Sequence, residues 1–114
     1  MFMIAGTAYG VALNHRGEAL RLASAFTEAP YKVPPVAPVV YIKPRNCFSA
    51  AGAPVPLPSD LAEVALSSTL ALLFGRDACR VDADAALRAV DAACLAIDVR
   101  EPLDNYYRPA IRQL

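Results

Sequence analysis

The chain has 114 residues, enough for one domain, and its eleven basic and eleven acidic residues cancel. That balance leaves no polyelectrolyte face for nucleic acid or an anionic membrane. Hydrophobic residues make up 56% and charged residues 19%, an apolar excess that points to an incomplete core or a surface kept for a partner.

The first ten residues are apolar but carry no basic n-region and run into Asn14, His15 and Arg16. A signal peptide is therefore not expected. Residues 7–13 form a short apolar run that predicts a buried strand. A helix is predicted next, with Ala19, Leu22, Ala23 and Phe26 on one face, Asn14 as its N-cap and Ala29-Pro30 as its stop. Eight of the ten prolines then fall between residues 30 and 60. Proline lacks a backbone N–H and clashes with the preceding turn, so long helix is excluded there. Within this stretch, residues 39–43 (Val-Val-Tyr-Ile-Lys) are β-rich and predict one strand. The remainder is too apolar to be disordered, so it reads as ordered loop.

The last part begins with a strand predicted over residues 68–74 and ended by Gly75. A helix is predicted from Asp82, as cap, to about Ala96, with Ala83, Leu87, Val90 and Cys94 on its core face. Asp84 and Arg88 stand at i, i+4 on it. A short strand is predicted over residues 95–99. No segment has the roughly 18 uninterrupted apolar residues needed to cross a bilayer. Cys47, Cys79 and Cys94 are odd in number and widely spaced, which fits reduced thiols in a cytoplasmic protein. They make no zinc site, since no CxxC pair occurs and the one histidine, His15, is remote in sequence. The expected architecture is one α+β domain over residues 1–114, with strands joined by long loops.

Several side chains are candidates for chemistry. Lys43 closes a strand and precedes Pro44, so its backbone is pinned; its ammonium either meets a substrate carboxylate or points into water. Asp98 interrupts an apolar strand, where a carboxylate needs a partner; that partner is Arg100, Arg108 or a metal ion. Arg108 and Arg112 lie four apart beside Tyr106 and Tyr107. They either clamp a diacid bidentately or form a polar rim at a subunit contact. Cys47 has no base close in sequence and is not expected to act as a nucleophile.

Three stretches in register resemble one family. Residues 10–16 (Gly-Val-Ala-Leu-Asn-His-Arg) are similar to the segment that opens fumarylacetoacetate hydrolase domains. Residues 41–46 (Tyr-Ile-Lys-Pro-Arg-Asn) with 52–58 (Gly-Ala-Pro-Val-Pro-Leu-Pro) resemble the family's lysine-proline loop and following strand. Residues 95–99 (Leu-Ala-Ile-Asp-Val) with 106–112 (Tyr-Tyr-Arg-Pro-Ala-Ile-Arg) complete the match. The resemblance is strongest to the first halves of the family's fused isomerase/decarboxylases of aromatic catabolism.

The resemblance implies a partial mixed β-roll with two helices and long proline-rich loops. It implies isomerase, decarboxylase or hydrolase chemistry on a small dicarboxylic 2-oxo or 2-hydroxydienoate acid, assisted by Mg2+ or Mn2+ as Lewis acid. A Glu-x-Glu pair on a strand and a later aspartate hold that ion in the family, because alternate strand residues share a face. Here the two glutamate positions fall on Ser67 and Thr69, and only the aspartate equivalent, Asp98, remains. His15 is the implied general acid/base, because the family carries a histidine on a lid near this point and imidazole titrates near neutrality. The plainer alternative is a surface histidine at a helix start. Glu18 is likewise either a lid carboxylate or a solvated first-turn glutamate. Family domains are about twice this length. The expected alternatives are an enzyme of this type, a degenerate subunit or remnant that pairs with an intact paralogue, and an unrelated small binding protein with a coincidental resemblance. A homodimer or larger assembly is expected, because half a β-roll leaves open strand edges and apolar surface.

Overall fold

The computed structural model describes residues 4–102, 106 and 114. The chain divides into two compact units, Met1–Ala62 with Glu101–Leu114, and Glu63–Arg100. Its class is mixed α+β, built on antiparallel strand pairs. No helix among the described residues is long and apolar enough to cross a membrane.

In the first unit, β1 (Ala8–Ala12) and β2 (Val39–Lys43) form an antiparallel pair with Ala8 opposite Lys43 and Ala12 opposite Val39. Both strands fall where the apolar runs predict them. Their alternation puts Ala8, Gly10, Ala12, Val39, Tyr41 and Lys43 on the better buried face. Gly10 faces Tyr41, and a Cβ there would lie 2.1 Å from the ring's Cζ, so the ring covers bare backbone.

Between the strands the expected single helix is broken in two. α1 covers only Arg16–Arg21, and a 3-10 turn follows at Ala25–Thr27. The N-cap is His15, not Asn14, and its side chain makes no capping bond. The break has a simple cause. α1 itself has no buried residue, whereas Phe26, in the turn, is 5% exposed and the best covered large side chain among this unit's described residues. Curling the chain at Leu22 to seat Phe26 offsets the loss of helical continuity. Phe26 meets the Tyr31 ring edge to face, with centroids 5.4 Å apart and an interplanar angle of 89°.

The second unit is a long hairpin of β3 (Ala65–Phe74) and β4 (Val90–Arg100), with α2 (Ala83–Arg88) in its connection. β3 starts three residues earlier than expected. The Asp82 cap is as expected: its Oδ1 accepts the Ala85 N–H at 2.7 Å. The C-terminal end of α2 is closed by Arg76, whose Nη2 donates to the Arg88 carbonyl at 2.9 Å.

The helix expected to reach Ala96 stops at Arg88, and the residues from Val90 onward are strand. Leu87, placed on the core face by the helical pattern, is 66% exposed. The apolar residues after it also satisfy a period of two, and β3 offers a full ladder of backbone partners to them. Pairing in tertiary space overrides the helix preference of the alanines. A register shift at Leu73/Phe74 takes up Asp91, whose carboxylate occupies the space beside Gly75 where a Cβ would sit.

The hairpin has one largely half-buried and one open face. Leu66, Leu70, Leu72, Leu95 and Ile97 are exposed large hydrophobics, with Leu70 directly opposite Leu95. These five share the open face, since alternate residues of paired strands do.

Candidate functional site

In the first unit the site begins where β1 ends. Leu13 has φ of 58°, a left-handed conformation that costs a bulky residue roughly 1–2 kcal/mol. The turn it makes carries the chain from β1 into α1. His15 follows, exposed, with its ring over Gly17, where a Cβ would lie 3.2 Å from the imidazole Cε1. Its carbonyl accepts the N–H groups of Glu18 and Ala19, both at 3.1 Å. The imidazole therefore stands at the helix start, open to solvent.

Beside it lies an open cavity of about 440 Å³, lined by residues 11–14 and 35–39 together with Ala19 and Phe26. That volume falls in the range of small-molecule sites. Its walls carry no charged side chain, and Asn14 supplies the one polar side chain of the lining. Such a cavity suits an apolar chain and gives nothing to neutralise a carboxylate.

Glu18, three residues after His15, meets two polar groups. Its Oε1 accepts a hydrogen bond from the Tyr106 hydroxyl and lies 3.8 Å from Arg21 Nη2. The Tyr106 N–H in turn donates to the Tyr31 hydroxyl at 2.5 Å. Sequence reasoning named Glu18 and passed over Tyr31. No local signal was available, because the Glu18–Tyr106 bond spans 88 positions.

Lys43 ends β2, half-buried, opposite Ala8. His15 follows the other end of the same strand pair. Four residue steps of extended chain separate Val39 from Lys43, about 13 Å at the usual strand rise. The structure does not bring His15 and Lys43 together. Arg108 and Arg112 lie outside the described residues.

In the second unit Ser67 stands directly opposite Asp98, and Thr69 opposite Ala96. The pairing of Ser67 with Asp98 places two of the three expected metal positions side by side, both half-buried. Asp98 Oδ1 is shielded from solvent, and the residue is engaged by neighbouring groups. Thr69 is exposed.

These donors do not fit a divalent magnesium or manganese ion. Such ions favour several hard oxygen ligands with carboxylate charge, and this set offers two neutral hydroxyls and one carboxylate. Among the described residues no group of three or more His, Cys, Asp or Glu side chains could hold a metal. Titrating manganese into the protein with oxalate present is expected to give no saturable heat up to millimolar metal. A tight one-to-one isotherm by calorimetry would contradict that expectation.

Comparison with known proteins gives concordant matches. The family model described as "Fumarylacetoacetate (FAA) hydrolase C-terminal" covers residues 7–107. The chain is 40% identical over 107 residues to the 4-hydroxyphenylacetate degradation bifunctional isomerase/decarboxylase of Escherichia coli, across 94% of this chain and 25% of that protein. It is 41% identical over 108 residues to the homoprotocatechuate catabolism bifunctional isomerase/decarboxylase of Escherichia coli, with the same coverage of each. A Salmonella dublin protein with the 4-hydroxyphenylacetate name is 38% identical over 107 residues, again across 94% of this chain and 25% of its own length. The chain thus spans about a quarter of the length of the curated relatives it matches.

Proposed function

Because the chain belongs to the fumarylacetoacetate hydrolase family, we propose that it takes part in isomerising or decarboxylating a small dicarboxylic 2-oxo or 2-hydroxydienoate acid from aromatic ring cleavage. The observation that carries this is the 40% identity, over 94% of the chain, to a relative named as a bifunctional isomerase/decarboxylase of 4-hydroxyphenylacetate degradation.

The chain's own part is proton handling and anion binding. Isomerisation of a dienol moves one proton from oxygen to a distant carbon of the conjugated system, with the double bonds shifting between. The exposed imidazole of His15 accepts the first proton and returns one to carbon, so it ends as it began. Lys43, Arg108 and Arg112 supply the cations a dicarboxylate needs. The apolar cavity beside α1 takes the hydrocarbon middle of the molecule. Asp98, at the aspartate position of the metal site, holds the β3–β4 hairpin together with its neighbours. Magnesium or manganese has no step in this proposal, because the donors on the chain do not suit either ion.

The two strand pairs are read as parts of one roll-like domain in a cytoplasmic protein. A second copy of the chain covers the open face of β3–β4. Open strand edges beside an apolar face favour such pairing.

The test uses a 2-hydroxydienoate dicarboxylic acid and follows loss of the dienol's ultraviolet absorbance. The protein is expected to accelerate its conversion to the conjugated ketone. His15→Ala is expected to lower kcat by about 10²-fold. Lys43→Ala is expected to raise KM by about tenfold, as loss of uniform binding does. A wild-type rate no higher than that of buffer would overturn the proposal.

A further inference from the structure

α1 is six residues long, has no side-chain cap and buries none of its residues. A helix of one and a half turns does not hold itself in water. Its position must come from tertiary contacts, and the contacts are specific. The Tyr106 hydroxyl donates to Glu18 in the first turn of α1. The Tyr106 backbone N–H donates to the Tyr31 hydroxyl. The Tyr31 ring packs on Phe26, which follows α1 in the chain. The four residues therefore form a closed ring of contacts that begins and ends on the α1–turn segment.

We infer that Tyr106 is a positioning residue, which fixes α1, and with it His15, through the Glu18 carboxylate. The Glu18 side chain is 28% exposed, sheltered enough for its bond to a neutral hydroxyl to matter. A hydrogen bond to a carboxylate is stronger than one between neutral groups. The Arg21–Glu18 pair cannot do the same work. It lies within the helix, its arginine is 69% exposed, and such pairs contribute little. Tyr106 instead reaches α1 from 88 positions away and closes the small cavity formed with Leu13, Phe26, Tyr31, Val33, Pro35 and Val39.

The consequence for turnover rests on His15 as the proton-transfer group, but the clamp itself does not. Amide hydrogen exchange separates the two. The amides of Ala19, Leu22 and Phe26 are hydrogen-bonded to the carbonyls of His15, Glu18 and Leu22. In Tyr106→Phe their exchange is expected to rise at least tenfold, while amides in the β1–β2 ladder keep their rates. Glu18→Leu is expected to match it, and the double variant to add nothing further, because either change breaks the same bond. Glu18→Gln keeps an acceptor and is expected to restore most of the protection. In the dienoate assay Tyr106→Phe is expected to lower kcat about tenfold with KM held. Unchanged exchange in Tyr106→Phe, or a rise shared equally by β1 and β2, would overturn the clamp. Faster α1 exchange with unaltered kcat would uphold the clamp and overturn the role given to His15.

Discussion

Replacing Leu70 and Leu95 together by glutamate is expected to convert a dimer into a monomer at micromolar concentration. The two leucines face each other across the β3–β4 hairpin and are 65% and 85% exposed. Leu66, Leu72 and Ile97 extend the same apolar face. Burying one leucine side chain stabilises by about 1.5–3 kcal/mol. An isologous contact uses the patch twice, so four leucines enter it. Their loss removes on the order of 6 kcal/mol, which weakens association by about 10⁴-fold. Introducing four like charges into the contact opposes it further. The substitutions lie on an open face, so the hairpin's own ladder is untouched and the variant is expected to keep its strand signal in circular dichroism. Light scattering on both proteins decides the matter. A wild-type protein that is already monomeric at micromolar concentration would sink the second-copy proposal.

Phe26→Ala is expected to cost about 3–4 kcal/mol, within the range for truncating a buried phenylalanine. Phe26 and Ala89 are the described hydrophobic residues with the least exposure, at 5% and 2%. With so few side chains covered, the loss of one is a large share of the whole, since marginal stability is the rule for domains of this size. The damage would not be confined to packing. Tyr31 loses the ring it rests on, and Tyr31 is the residue that accepts the Tyr106 N–H. The α1 clamp is then expected to loosen together with the core. Phe26→Leu, which keeps most of the apolar volume, is expected to cost under 1.5 kcal/mol. Thermal unfolding of the two variants measures the difference. Equal melting temperatures for Phe26→Ala and the wild type would show that Phe26 carries no core.

Much of the strand architecture was legible in advance because it is local. Residues 39–43 are β-branched or aromatic apart from the terminal lysine, and they form β2 without a residue's difference. Asp82 is a helix cap by side-chain chemistry alone, and it caps α2. The family resemblance was also legible, because three separated stretches keep their order and spacing. The extent of the helices was not. Residues 90–96 satisfy periods of both 3.6 and 2, and nothing within that segment chooses between them. β3 makes the choice by presenting unpaired backbone groups along its length. Asn14 looked like the cap of α1, yet the left-handed turn at Leu13 moves the helix start one residue on, to His15.

The candidate site divides along the same line. Residue identities by themselves determine that Ser67 and Thr69 cannot replace two carboxylates around a hard dication. A serine or threonine hydroxyl stays neutral in any fold. They also determine that the formal charges cancel and that apolar residues are in excess. Only the tertiary structure decided that Ser67 meets Asp98 across a hairpin, and that His15 and Lys43 sit at opposite ends of one strand pair. Only it joined Glu18 to Tyr106. Such contacts depend on loop closure over tens of residues, where the entropy of closing varies slowly with length and leaves no mark in local sequence.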